Sequence, residues 1–91
     1  MSGQADEFPM TTNAEVETRL LAFVREEIFR DQVALTVETN LVEAGFDSMS
    51  LVSLLLFLER EYGIWLRESE ITVAVLENIR SLAAHVTTYL S

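Results

Sequence analysis

Gly45-Phe46-Asp47-Ser48-Met49, leading straight into the apolar stretch that runs to Tyr62, is the part of this 91-residue chain on which the fold turns. Glycine permits a turn that other residues resist, and aspartate is among the best helix-capping residues. Behind them Leu51, Leu54, Leu55, Leu58 and Tyr62 recur at offsets of three and four, one stripe of a helix over residues 48–62 that Gly63 stops. The run thus predicts a serine displayed at a helix start. Met49, Val52 and Leu56 form a second, shifted apolar row on the same helix. Burial between neighbouring helices would explain that row, and so would an exposed patch for a partner. For Met49 and Val52, nearest Ser48, the patch is the preferred reading.

Upstream, Thr12 with Glu15 three residues later has the form of a capping box. A first amphipathic helix of about four turns follows, with Val16, Leu20, Phe23, Val24 and Ile28 as its apolar stripe. Residues 31–47 lose that period and read as a long loop pinned by Val33, Leu35, Val37 and Leu41. A strand over residues 34–39 is the alternative, disfavoured because a lone strand has no partner. Downstream, Ser69 is placed to cap a short third helix over residues 70–75, and Asn78 a last helix reaching Leu90 with Ile79, Leu82, Ala83, Val86 and Leu90 inward. Residues 1–11 lack periodicity and read as a flexible, dispensable leader to one domain over residues 12–91.

The fold class expected is all-α: a bundle of three main helices plus a short third one, with a long first loop. At this length there is room for a single core, burying about 60–65% of the unfolded surface. Fifteen acids against six arginines and no lysine give a net charge of −9, which repels nucleic acid and anionic membranes and invites basic partners. Spread as they are, the acids also serve as an ordinary solvated surface. With no cysteine there is no disulfide, no thiolate metal site and no intrinsic thiol nucleophile, in keeping with a cytoplasmic protein. The longest apolar run, Leu54 to Leu58, is too short to span a bilayer.

Catalysis by Ser48 would require a base, and the single histidine, His85, lies off the stripe of the last helix, where a boundary position explains it. No carboxylate spacing suggests a metal site, so neither catalytic nor metal-ligating residues are assigned. What remains is a hydroxyl at a helix start, where unpaired amides and the positive end of the helix dipole favour an attached anion. Ser48 reads as a point of covalent attachment. Asp47 reads as the helix cap.

At these residues the chain resembles the acyl and peptidyl carrier protein family, with its Gly-x-Asp-Ser-Leu/Met motif before the second helix. The resemblance extends through Thr39-Asn40-Leu41-Val42-Glu43-Ala44, Leu51 to Gly63 and Asn78-Ile79-Arg80-Ser81-Leu82-Ala83. It implies a four-helix bundle of the acyl-carrier type and a 4′-phosphopantetheine arm on Ser48, transferred from coenzyme A by a separate, magnesium-using phosphopantetheinyl transferase. Acyl or aminoacyl groups would ride on the arm as thioesters, between a loading enzyme and a downstream acyltransferase or synthase. By the same resemblance Asp47 serves transferase recognition, Gly45 the turn and Leu41 the anchoring of the loop. Met49, Val52 and Leu56, with Glu59 and Glu61, match partner-facing positions, and a monomer is expected.

The chain also departs from the commonest members. Fatty-acid carriers usually place acids at the positions of Ser50, Ser53 and Arg60, so this helix is less acidic than theirs. Trp65 is unusual at its place. Asp47-Ser48-Met49 followed by Val52-Ser53-Leu54-Leu55-Leu56 is similar to the freestanding D-alanyl and aminoacyl carriers, and bulky Phe57 is expected to restrict the space for long acyl chains. The expected function is therefore a specialised carrier and not an enzyme, with a fatty-acid or polyketide carrier, or an unmodified helical adaptor, as alternatives.

Overall fold

The computed structural model describes residues 12–32 and 34–90. The expected leader over residues 1–11, and with it Val33 and Ser91, lies outside them.

Helix α1 spans Asn13–Phe23 and begins as its sequence predicts. The Glu15 amide donates to Thr12 Oγ1 at 3.1 Å and the Thr12 amide to Glu15 Oε1 at 3.3 Å, a closed capping box. The helix then widens into a π-helical turn over Val24–Ile28, where the Phe29 amide reaches back five residues to the Val24 carbonyl at 2.9 Å. Val16, Leu20 and Val24 are buried and Phe23 and Ile28 pack against the core, as the stripe requires. Arg30 and Asp31 follow with φ of 53° and 61°, a left-handed region that is costly for side chains carrying a Cβ.

The expected long loop contains one helical turn that periodicity missed: α2, Leu41–Ala44. Asn40 Oδ1 caps it by accepting the Glu43 amide at 2.9 Å. Gly45, at φ 117°, ends it, with the Gly45 amide bonded to the Val42 carbonyl at 3.1 Å and the Phe46 amide to the Leu41 carbonyl at 2.9 Å. That pair of bonds is a Schellman closure. Leu35, Leu41 and Phe46 are buried and pin the segment, and no strand forms among the described residues. Two backbone bonds tie it to the start of the last helix: Leu41 amide to Glu77 carbonyl at 3.0 Å, and Arg80 amide to Val37 carbonyl at 3.1 Å.

Helix α3 spans Ser48–Tyr62 and ends at Gly63, φ 67°. Leu54 and Leu58 are fully buried, and Phe57 stacks on Phe23 at 4.2 Å between ring centres. The Arg19 guanidinium reaches Glu61 at 3.1 Å, so α1 and α3 are joined by an aromatic stack and an ion pair. Past Gly63, Ile64 and Leu66 turn into the core and Trp65 turns out.

The helix expected over residues 70–75 is absent from its place. A 3-10 turn occupies Glu68–Glu70, and then Thr72 organises a single turn, accepting the Val75 amide on Oγ1 at 3.3 Å and the Leu76 amide on its carbonyl at 3.0 Å. The β-branched residues Ile71, Thr72, Val73 and Val75 explain the difference, because each loses side-chain freedom in a helix. Helix α4 spans Ile79–Thr87, capped by Asn78 Oδ1 on the Ser81 amide at 2.8 Å. Its expected extension to Leu90 continues as tighter turns, with amides of Thr88, Tyr89 and Leu90 bonded three residues back. The described residues thus hold four α-helices and form the expected all-α bundle, with α1 packed on α4 and the core filled by Leu20, Leu54, Leu58, Ile79, Leu82 and Val86.

Candidate functional site at the start of α3

The site begins with the Schellman closure of α2, which turns the chain so that buried Phe46 anchors the segment just ahead of Asp47. Asp47 is extended, at φ −122° and ψ −170°, and caps α3. Its Oδ1 accepts two bonds from Ser50, the amide at 2.9 Å and the hydroxyl at 3.0 Å. The amide bond, and after it the hydroxyl bond, hold the Asp47 carboxyl below its ordinary range, because both stabilise the charged form.

Ser48 is the first residue of α3 and is exposed. Its hydroxyl has no hydrogen-bond partner among the described residues. His85 serves elsewhere: half-buried on α4, it places Nε2 3.8 Å from Glu70 Oε1 and its ring edge against Tyr89. Tyr89 Oη in turn donates to Glu70 Oε1. Among the described residues no group of His, Cys, Asp or Glu is spaced to hold a metal.

The surroundings suit an attached anion. The first turn of α3 carries no acid. A phosphodiester on Ser48 would therefore meet the positive end of a 15-residue helix with Asp47 as the one carboxylate of its cap. The residues present fit a 4′-phosphopantetheine group, held covalently through a serine oxygen.

Along the outer side of α3 the shifted apolar row is exposed: Met49 at 72%, Val52 at 45% and Leu56 at 55%. Burial between helices, the other explanation of that row, is excluded. Val42 on α2 and Val73 are exposed as well, on the walls of a groove of about 380 Å³ shared with Asn40, Glu43, Ala74 and Glu77. The two acids of α3 differ. Glu59 is exposed, whereas Glu61 is engaged by Arg19 at 3.1 Å and by Arg60 at 3.7 Å. Sequence reasoning missed the Ser50 hydroxyl bond to Asp47: a hydroxyl three residues after a capping aspartate is within reach of it, and the side-chain rotamer decides whether the bond forms.

Comparison with known proteins gives the family. The family described as "Phosphopantetheine attachment site" matches residues 18–86. The chain is 30% identical over 80 residues to Aminoacyl carrier protein 1 of Bradyrhizobium diazoefficiens, covering 86% of this chain and 89% of that one. It is 36% identical over 75 residues to Aminoacyl carrier protein 2 of the same organism, covering 80% and 81%. An acyl carrier protein of Rickettsia typhi is 30% identical over 64 residues, covering 69% and 74%. No solved structure matches it significantly. The chain belongs to the phosphopantetheine-attachment family of carrier proteins. It is a non-catalytic carrier whose prosthetic group is a covalently attached 4′-phosphopantetheine, and its family works with phosphopantetheinyl transferases and synthase-type enzymes.

Proposed function

We propose that Ser48 is the attachment residue and that the cargo is an aminoacyl group, held as a thioester on the arm and passed from a loading enzyme to a downstream acyltransferase or synthase. The observation that carries the attachment is the exposed hydroxyl at the first position of α3, without a hydrogen-bond partner among the described residues and in a helix turn free of acids. Asp47, beside it, is the contact for the transferase. The arm supplies the thiol that the cysteine-free chain lacks. Thioesters suit the task because their carbonyl stays open to nucleophiles.

The aminoacyl assignment rests on the names of the two Bradyrhizobium relatives and on Phe57. Stacked on Phe23, its ring fills space between α1 and α3 that a long acyl chain would need. Met49, Val52 and Leu56 form the apolar part of the partner surface, with Glu59 and Glu61 beside it. No helix among the described residues is long and apolar enough to cross a membrane. The working form is a monomer in the cytoplasm whose carrier domain is residues 12–91, so a chain lacking residues 1–11 is modified as well as the full one.

Intact-mass measurement after incubation with coenzyme A and a broad-specificity transferase tests the attachment. One phosphopantetheine mass is gained, and Ser48→Ala gains none; an unmodified wild-type chain would point to a helical adaptor instead. Chemical shifts of the arm-bearing form loaded with short or long acyl groups test the cargo. Core shifts that grow with chain length would return the chain to the fatty-acid carriers.

A further inference from the structure

The Ser50 side chain has no explanation in the core or in the apolar row. It is a polar residue only 9% exposed at the head of α3, one residue away from exposed Met49 and two from exposed Ser48. Its backbone already makes the bond that a helix cap requires, amide to Asp47 Oδ1 at 2.9 Å. The hydroxyl then adds a second donor to the same oxygen at 3.0 Å. An alanine at position 50 would keep the first bond and the helix, so the second is superfluous for capping. Its effect falls on Asp47: two donors on Oδ1 restrict the carboxylate to one orientation relative to Ser48, where the cap alone leaves it more freedom. An acid at this position could not donate and would repel Asp47.

We infer that Ser50 is a positioning residue for the modification of Ser48, its hydroxyl fixing the Asp47 carboxylate in the orientation that the transferase engages. The inference rests on Ser48 as the attachment residue. Ser50 touches neither coenzyme A nor the arm; it acts through Asp47. The energy at stake is that of one net side-chain hydrogen bond, on the order of a fivefold change in rate.

The test compares the full-length wild-type chain with Ser50→Ala and Ser50→Thr, using coenzyme A and a broad-specificity phosphopantetheinyl transferase, with mass gain followed over time. Ser50→Ala lowers kcat about fivefold with the KM for the carrier little changed, and broadens the Asp47 side-chain rotamer distribution read from its Cα–Cβ proton couplings. Ser50→Thr, which keeps the hydroxyl, restores both. Melting curves identify any variant that fails to fold, and the folded Thr variant then decides by its own kcat and couplings. Wild-type kcat in Ser50→Ala, or a loss that threonine shares, overturns the inference while the Ser48 tether stands. A wild-type chain that gains no mass overturns the tether reading and this inference together.

Discussion

Gly45 shows how narrowly single positions are set around Ser48. A Cβ added there would meet Phe29 Cε1 at 3.6 Å, ordinary contact, so space is not the constraint. The constraint is φ at 117°, which an L side chain rarely adopts. Gly45→Ala therefore costs about 1–2 kcal/mol in urea unfolding through strain alone. Tyr62 is the opposite case, since its hydroxyl oxygen is buried without a hydrogen-bond partner among the described residues. Tyr62→Phe leaves stability unchanged or raises it by about 1 kcal/mol, because a desolvated group with no partner is removed. Burial, the first cause, pushes the Tyr62 pKa above its ordinary 10.0. A raised folded value means stability present below pH 10.0 and lost as pH climbs through the folded pKa, so Tyr62→Phe flattens the alkaline limb of the stability curve. Asp47 runs the other way, its lowered pKa lending stability above the ordinary carboxylate range that fades as the solution is acidified. At this scale the place of Ser48 at the head of α3 and the Asp47 cap were legible, because helix caps obey local rules. The second Ser50 bond was not, because it depends on a side-chain rotamer and not on spacing alone.

Among the elements, α1, α3 and the start of α4 were legible: each has a capping residue and several turns of apolar period. Elements of one turn escaped. α2 is too short for a stripe, and its available mark was Asn40 three residues ahead of Glu43, whose amide it caps. The segment after Ser69 misled in the other direction, because a capping residue was present while its β-branched residues opposed a helix. The π-helical turn at the end of α1 carries no mark in the apolar pattern, since Val24 stays buried either way. Short as it is, α2 is an anchor. Leu41 is fully buried, and Leu41→Ala costs about 2–5 kcal/mol through lost burial and the cavity left behind, as chemical denaturation will measure.

For the molecule as a whole, charge works against compactness. The net −9 repels itself, while ion pairs such as Arg19 with Glu61 and Arg80 with Glu38, at 3.1 and 3.0 Å, are largely exposed. Exposed pairs contribute about 0–1 kcal/mol each, less than the relief from screening so large an excess of acids. The melting temperature therefore rises as sodium chloride is increased to about 0.15 M, where charges more than about 8 Å apart are screened. A fall on adding salt would place the ion pairs ahead of the repulsion. The two backbone bonds from Val37 and Leu41 to Arg80 and Glu77 carry a consequence for synthesis. Until the ribosome has released the stretch that forms the head of α4, the segment leading to Ser48 lacks both of these bonds, so, on the proposal that Ser48 carries the arm, priming of the nascent chain follows completion of the bundle.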